Sequence, residues 1–476
     1  MKEFATNHGP HIKDDNTTSK MMRNLFIALF PIIIFSYIKN GLLPYLDNNI
    51  SFINSLKPLL MVLIGGFTCT LVEIFWAKIN KKEKIREYIS KSYPIFPGIF
   101  LALILPLNTP YYVIIIGAIF TTFFGKLIFG GFGHNIFNPA GVGRLFIILS
   151  YYSVITGSGG YLNGSELDAV SSATPLTNAS TNFIGNYSTL VKPFGTLWDF
   201  FFGFIPGSLG ETSALLCIIG LIFLLIKKVI PWRIPIIYIG TVFIITFIIG
   251  MSNNLGIWYP LFHILSGGLM FGAIFMATDP VTSPTTPSGQ AFYALGLGFL
   301  TVVFRFLSAY PEGVLTSILT MNFLVIIIDK IFSRGRYDRK KLLIPFIILL
   351  LLIGSITYYI STKDKAKIPD DSSDFKVNDI SRENNNTIYN VTYKGYHGNI
   401  EANITFIDNK VISIDITKQN ENVWQSITDN NYLNKIISNQ SNLEKLDAIS
   451  GATYTSDYLK EMVDNTIKYH EGDNDE

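Results

Sequence analysis

Residues Leu342-Leu-Ile-Pro-Phe-Ile-Ile-Leu-Leu-Leu-Leu-Ile-Gly-Ser-Ile-Thr-Tyr-Tyr-Ile360 carry neither a charge nor a side-chain amide. A helix of about 20 such residues crosses the hydrocarbon core of a bilayer, where backbone groups must be satisfied within the segment. Arg334, Arg336, Arg339, Lys340 and Lys341 stand before this stretch and a polar tail follows it. Toward the N-terminus, ten more apolar stretches recur: Asn24 to Pro44, Pro58 to Ala77, Pro94 to Leu107, Tyr111 to Phe129, Ala140 to Thr156, Thr212 to Leu225, Arg233 to Gly250, Tyr259 to Ala277, Ala291 to Leu307 and Gly313 to Ile331. The expected fold is therefore a polytopic α-helical membrane protein of about eleven spans with a small α+β domain at its C-terminal end. The third stretch is short and flanked by Pro94, Pro97 and Pro106, which marks a re-entrant or broken helix as its alternative. Hydrophobic residues make up 49% of the 476 and charged ones 15%, too apolar a balance for a soluble enzyme. Mean hydropathy is +0.35.

Charge placement orients the spans. With the N-terminal arm (1–23) cytoplasmic, an odd number of crossings puts Lys78 to Arg86, Lys227 to Arg233 and Arg334 to Lys341 inside, as basic loops prefer. The loop Gly157 to Glu211, which holds a single Lys192 and no Arg, falls outside, together with everything after Ile360. The expected organisation is a transmembrane domain over 24–335, a final helix with its basic flank over 336–361, a linker over 362–386 and an extracytoplasmic domain over 387–476. The two spanning halves have the form of an inverted repeat, with faint support in the sequence itself. No cleavable signal peptide is expected, because the first apolar run leads into further spans rather than a cleavage site. A net charge of +2 gives no field that would gather nucleic acid. Cys69 and Cys217 stand alone in apolar runs, so there is no spacing for a metal, iron–sulfur or disulfide centre, and no phosphate-binding glycine loop is present.

In the tail, period-two alternation runs through Ile388 to Tyr393, Ile400 to Ile407 and Val411 to Ile416, the last two joined by Asp408-Asn409. Helical periodicity covers Tyr432 to Ile437 and returns with Leu459, Met462, Val463 and Ile467 on one face. These predict an antiparallel sheet packed by helices.

Between these elements lies Asp447-Ala-Ile-Ser-Gly-Ala-Thr453, which nearly repeats Asp168-Ala-Val-Ser-Ser-Ala-Thr174. Such a string arises by accident in roughly one chain of this size in several hundred, so two copies are not read as ordinary turns. Thr453 precedes a helix expected to start near Thr455 or Ser456, and helix N-termini stabilise phosphate. Gly451 and Ala452 leave room for a bulky group. A hydroxyl placed there suits hydrogen bonding to a phosphate or covalent attachment of one.

The motif resembles the flavinylation signal of the ion-pumping Rnf and Na+-NQR complexes, whose final Thr carries FMN through a phosphoester installed by an ApbE-type flavin transferase from FAD with Mg2+. The resemblance implies two covalent FMN groups, on Thr174 and Thr453, with Asp168, Ser171, Ser172, Ala173, Asp447, Ser450, Gly451 and Ala452 forming the cofactor-binding motifs. Ser172 stands where the family has Gly, and it is still small. Residues 10 to 360 are similar to the RnfD/NqrB membrane subunit through Pro10 to Lys13, Gly125-Lys126, Gly130 to Ala140, Pro206 to Ala214, Ala277 to Thr282 and Tyr310 to Gly313, in the family's order. Residues 342 to 470, with Tyr393 to Gly398, are similar to the RnfG/NqrC type, although the tail is shorter than in full-length members. The chain thus looks like a fusion of two neighbouring subunits. The resemblance implies a multi-pass protein of the cell (inner) membrane. It implies a subunit of a redox-driven ion translocase, not a complete enzyme, that works with other Rnf/NQR-like membrane and iron–sulfur subunits. Electron flow linked to ferredoxin or NADH would then drive Na+ or H+. A non-pumping conduit to extracellular acceptors or a quinone, and a non-redox transporter with vestigial motifs, are the alternatives.

Four more residues are candidates for ion or flavin contacts, including a further, non-covalent flavin. Glu73 is an ion-site carboxylate or an interface residue paired with Lys78. Asp279, near Thr282, Ser283, Thr285 and Thr286, either bonds an isoalloxazine edge or caps a turn. Lys126 and Arg305 either steady a flavin anion or snorkel to the interface. His134 and Asn135 lie beside Asn138-Pro-Ala, a broken-helix signal. No residue is assigned as catalytic or as a metal ligand.

Overall fold

The computed structural model describes residues 17–81, 84–157, 175–176, 179, 185–210, 213–308, 313–334, 339–362, 375–383, 386–394, 399–407, 410–419, 424–429, 431–440, 443, 449 and 453–474. The chain forms two compact units, Met1–Ala366 and Lys367–Glu476.

In the first unit the helices fall into two matching sets. The first set is α1 (Thr18–Leu46), α2 (Lys57–Ile79), the pair α3 (Ile85–Ser92) and α4 (Ile95–Leu103), α5 (Tyr111–Leu127) and α6 (Pro139–Gly157). The second is α7 (Ala214–Ile226), α8 (Arg233–Ser252), the pair α9 (Trp258–Leu265) and α10 (Leu269–Met276), α11 (Pro287–Leu307) and α12 (Val314–Arg334). The long helix α13 (Arg339–Thr362) follows. The second helix of each set packs on that set's pair and on its fourth helix, α2 on α4 and α5 and α8 on α9 and α11, and α1 meets α7. Large apolar side chains such as Leu63, Phe67 and Phe75 on α2 and Phe323 and Ile326 on α12 point outward and stay exposed. Exposed apolar faces of this extent fit lipid, and the unit is a multi-pass membrane domain.

Among the described residues, six helices are long and apolar enough to span, seven if α9 and α10 count as one bent element, with α5 and α7 as shorter apolar helices. The third expected span, Pro94 to Leu107, is a short helix with a separate polar helix before it. α3 ends at Ser92, Tyr93 takes a left-handed φ of 50°, and Pro94 restarts the chain as α4. The nine residues of α4 cover about 13 Å at 1.5 Å per residue, less than half a bilayer core. Its later counterpart breaks at Ser266–Gly268 and bends by 66°. Backbone groups freed at the end of α4 are met by neighbours: Leu209 N–H donates to Leu105 O at 3.1 Å and Gly210 N–H to Leu103 O at 2.7 Å. α2 and α4 cross at Gly65 and Gly98, where a Cβ on Gly98 would lie 2.2 Å from the Gly65 carbonyl oxygen. Only glycine permits that approach.

The second unit is a four-stranded antiparallel meander, β1 (Phe375–Glu383), β2 (Asn386–Lys394), β3 (Asn399–Ile407) and β4 (Lys410–Lys418), in the order β1-β2-β3-β4. One face, with Tyr389, Val391, Ile404 and Phe406, is buried against α14 (Trp424–Asp429), α15 (Tyr432–Ser438) and α16 (Thr453–Asn474). α16 contributes Leu459, Met462 and Val463 to that core. β1 corrects the expected linker over 362–386. Phe375, Val377 and Ile380 all pack on the core, but a bulge between Val377 and Asp379 breaks the alternation that would have revealed a strand.

Candidate functional site

Lys126 lies in the π-helical turn Phe123–Leu127 that ends α5. Its ammonium donates to Glu73 Oε1 of α2 and, at 2.6 Å, to the carbonyl oxygen of Ser92, the last residue of α3. The Ser92 hydroxyl donates to the other carboxylate oxygen, Oε2. Glu73 is 0% and Lys126 2% exposed. The partner of Glu73 is therefore Lys126 rather than the exposed Lys78, and Lys126 does not snorkel to the interface. The 53 residues separating the pair explain why spacing did not reveal it.

Lys126 also borders a cleft bounded by the start of α4, the end of α5, the loop before α6 and the end of α10. Its walls are aromatic, with Tyr93, Phe96, Phe132 and Phe275, and carry the polar groups of Asn135, Asn138, Thr278 and Asp279. Asn138 is fixed by its N–H to Asn322 Oδ1 (3.0 Å) and by its amide to Met276 O (3.3 Å). Asn322 also donates to Thr282 O and to the Tyr293 hydroxyl. Asp279 accepts from Val281 N–H (3.3 Å) and the Thr282 hydroxyl (3.1 Å), so one carboxylate closes a turn and lines the cleft. Aromatic walls with a few polar edge groups are the kind of surface on which a flat ring stacks and is oriented. His134, beside it in sequence, is exposed and does not line the cleft.

Arg305 occupies the matching place in the second set. It is buried near the end of α11 and donates to three carbonyl oxygens at the break between α9 and α10: His263 through Nη1, and Ser266 (3.2 Å) and Gly267 (3.1 Å) through Nη2. It too does not snorkel. Each set thus places a buried cation near the end of its fourth helix, on carbonyl oxygens at the end of a short helix, where the helix dipole is negative. One turn before Arg305, Thr301 continues a buried hydroxyl chain from Tyr238 (2.6 Å) to Ser317 (3.1 Å). Arg144, Gly267 and Gly268 line a smaller cavity nearby. Sequence reading missed Ser92, Arg144 and Asn322, each of which acts through a distant partner or a break in a helix.

The two Thr motifs are described unequally. Asp168, Ser171, Ser172, Ala173 and Thr174 lie outside the described residues, as do Asp447, Ser450, Gly451 and Ala452. Thr453 is the first residue of α16, two residues earlier than expected. Ser456, fully buried in the first turn, accepts a 3.2 Å hydrogen bond from the N–H of Ile449 within the motif. The missed signal was a spacing: Ser456 and Thr177 each stand three residues after the motif's Thr. A 22-residue helix beginning at Thr453 has a positive dipole end there, which fits an FMN phosphate.

Residues 5–338 match the NQR2, RnfD, RnfE family and residues 395–468 the FMN-binding domain family. The D component of the proton-translocating ferredoxin:NAD(+) oxidoreductase complex of Clostridium ljungdahlii is 36% identical over 342 residues, covering 71% of this chain and 97% of that protein. The D component of the Na(+)-translocating ferredoxin:NAD(+) oxidoreductase complex of Acetobacterium woodii is 32% identical over 340 residues, covering 71% and 96%. The B component of the Na(+)-translocating NADH-quinone reductase of Chromohalobacter salexigens is 36% identical over 284 residues, covering 58% and 64%.

Proposed function

Because the chain belongs to the NQR2, RnfD, RnfE family and carries an FMN-binding domain behind that region, we propose that it is an electron-transfer subunit of an Rnf-like membrane complex. It holds one FMN on Thr174 and one on Thr453 through phosphoester bonds, and electron flow linked to ferredoxin or NADH drives Na+ or H+ across the membrane. The observation that carries this reading is the distribution of the motif: one copy falls inside each family-matched region. The protein supplies position and potential, while the flavin supplies the one-electron chemistry. Partner iron–sulfur subunits deliver the electrons, and an ApbE-type transferase loads the flavins. The cleft around Asn135, Asn138 and Asp279 holds a further, non-covalent flavin, and the Glu73–Lys126 pair beside it belongs to the ion path.

Eleven membrane-embedded segments, with α4 as a short one and α9–α10 as a broken one, go with the basic loops inside and an N-terminal arm in the cytoplasm. Both Thr motifs then face the outside. The two helix sets are related as an inverted repeat, the arrangement that places discontinuous helices at a functional centre. Relatives named for protons and for sodium are similarly close to this chain, so the coupling ion is a matter for measurement.

The test is in-gel flavin fluorescence of the membrane-expressed chain co-produced with a flavin transferase, comparing wild type, Thr174→Ala, Thr453→Ala and the double variant. Stepwise loss with none left in the double variant is expected. No fluorescence in wild type beside an active transferase would overturn the flavoprotein reading and leave a transporter.

A further inference from the structure

The hydroxyl of Ser456 closes a seven-residue interval of chain by accepting the N–H of Ile449. Ile449 also packs its side chain against the tail core, while Thr455 and Ser456 are 1% and 0% exposed. Thr453 is therefore bracketed by a fixed point four residues before it and another three residues after it. A buried hydroxyl with a specific backbone partner is costly to lose and constrains the loop it ties.

We propose that Ser456 is a positioning residue for flavin attachment, holding Thr453 in the geometry that the transferase requires. This rests on the covalent-flavin reading above. In the transfer, the Thr453 Oγ–P bond forms to the flavin-side phosphorus of FAD as the pyrophosphate P–O bond breaks. AMP leaves, and the hydroxyl proton passes to the transferase. Ser456 touches none of the reacting atoms; it reduces the freedom of the loop that presents the nucleophile, where small misplacements carry large rate penalties. Thr177 stands at the same offset from Thr174, which makes Thr the natural rescue.

The experiment uses the full chain in membranes with Thr174→Ala, so that only the tail copy is read. Flavin fluorescence per chain is followed over time after adding FAD, Mg2+ and transferase, for Ser456, Ser456→Thr and Ser456→Val. The last two share a shape and differ in the hydroxyl. Labelling of Ser456→Val is expected to be about tenfold to a hundredfold slower than that of Ser456→Thr, with equal resistance of the tail domain to protease. Equal labelling of the two variants overturns the inference, as does slow labelling that tracks increased protease sensitivity. If the Ser456 chain itself takes up no flavin beside an active transferase, the covalent-flavin reading fails and this inference with it.

Discussion

At the level of single residues, the Glu73–Lys126 pair is the sharpest stability determinant in the membrane unit. Its ions are buried and share a hydrogen-bonded setting with Ser92. Removing one partner leaves a buried charge unpaired, at a cost of about 3–5 kcal/mol, whereas replacing both by apolar residues of similar volume costs far less. Glu73→Gln and Lys126→Met should each lower the unfolding midpoint in detergent markedly, and Glu73→Leu with Lys126→Met should recover much of the loss. A second residue-level prediction concerns pH. In the helical turn Leu197–Phe202, between α6 and α7, the Thr196 hydroxyl (2.8 Å) and N–H (2.7 Å) both donate to Asp199 and hold its carboxyl below the usual carboxylate range. A lowered folded-state value contributes stability that is present above the ordinary carboxylate pKa and lost as pH falls through the lowered one. Protease sensitivity at this turn should therefore rise on acidification, and Asp199→Asn should remove that dependence while leaving the turn weaker at neutral pH.

Among the elements, legibility followed periodicity. The alternation of β2, β3 and β4 and the apolar face of α16 were readable because each repeats with the period of its own structure. β1 was not, because its bulge shifts the inward face by one residue between Val377 and Ile380. The shortness of α4 was legible only as an alternative, since three prolines mark a disruption without saying where the helix ends. Of the site, the Thr motifs and the four charged candidates could be named from sequence, but not their partners. Burial of Lys126 and Arg305 depends on carbonyls exposed by a break elsewhere in the fold. The crossing of α2 and α4 makes its own prediction. Gly98→Ala puts a methyl group against the Gly65 carbonyl, and the overpacking should destabilise the membrane unit by about 1–3 kcal/mol, read as a lower unfolding midpoint.

For the whole molecule, the division at Ala366 and Lys367 separates two cores that share no member. The tail core, from Tyr389 to Val463, is drawn wholly from residues 367–476. That segment alone should unfold in one cooperative transition and accept flavin from a transferase. A broad, non-cooperative melt would show instead that the membrane unit is needed to fold it.

The cations at the two breaks bear on where an ion can rest in this chain. Half-helix carbonyl ends are the oxygen-rich, negative sites that a small metal ion would otherwise seek. Here an ammonium takes the end of α3 and a guanidinium takes the end of α9, each tethered by its own side chain. A small cation brought to either carbonyl end would meet a seat already filled by a tethered one.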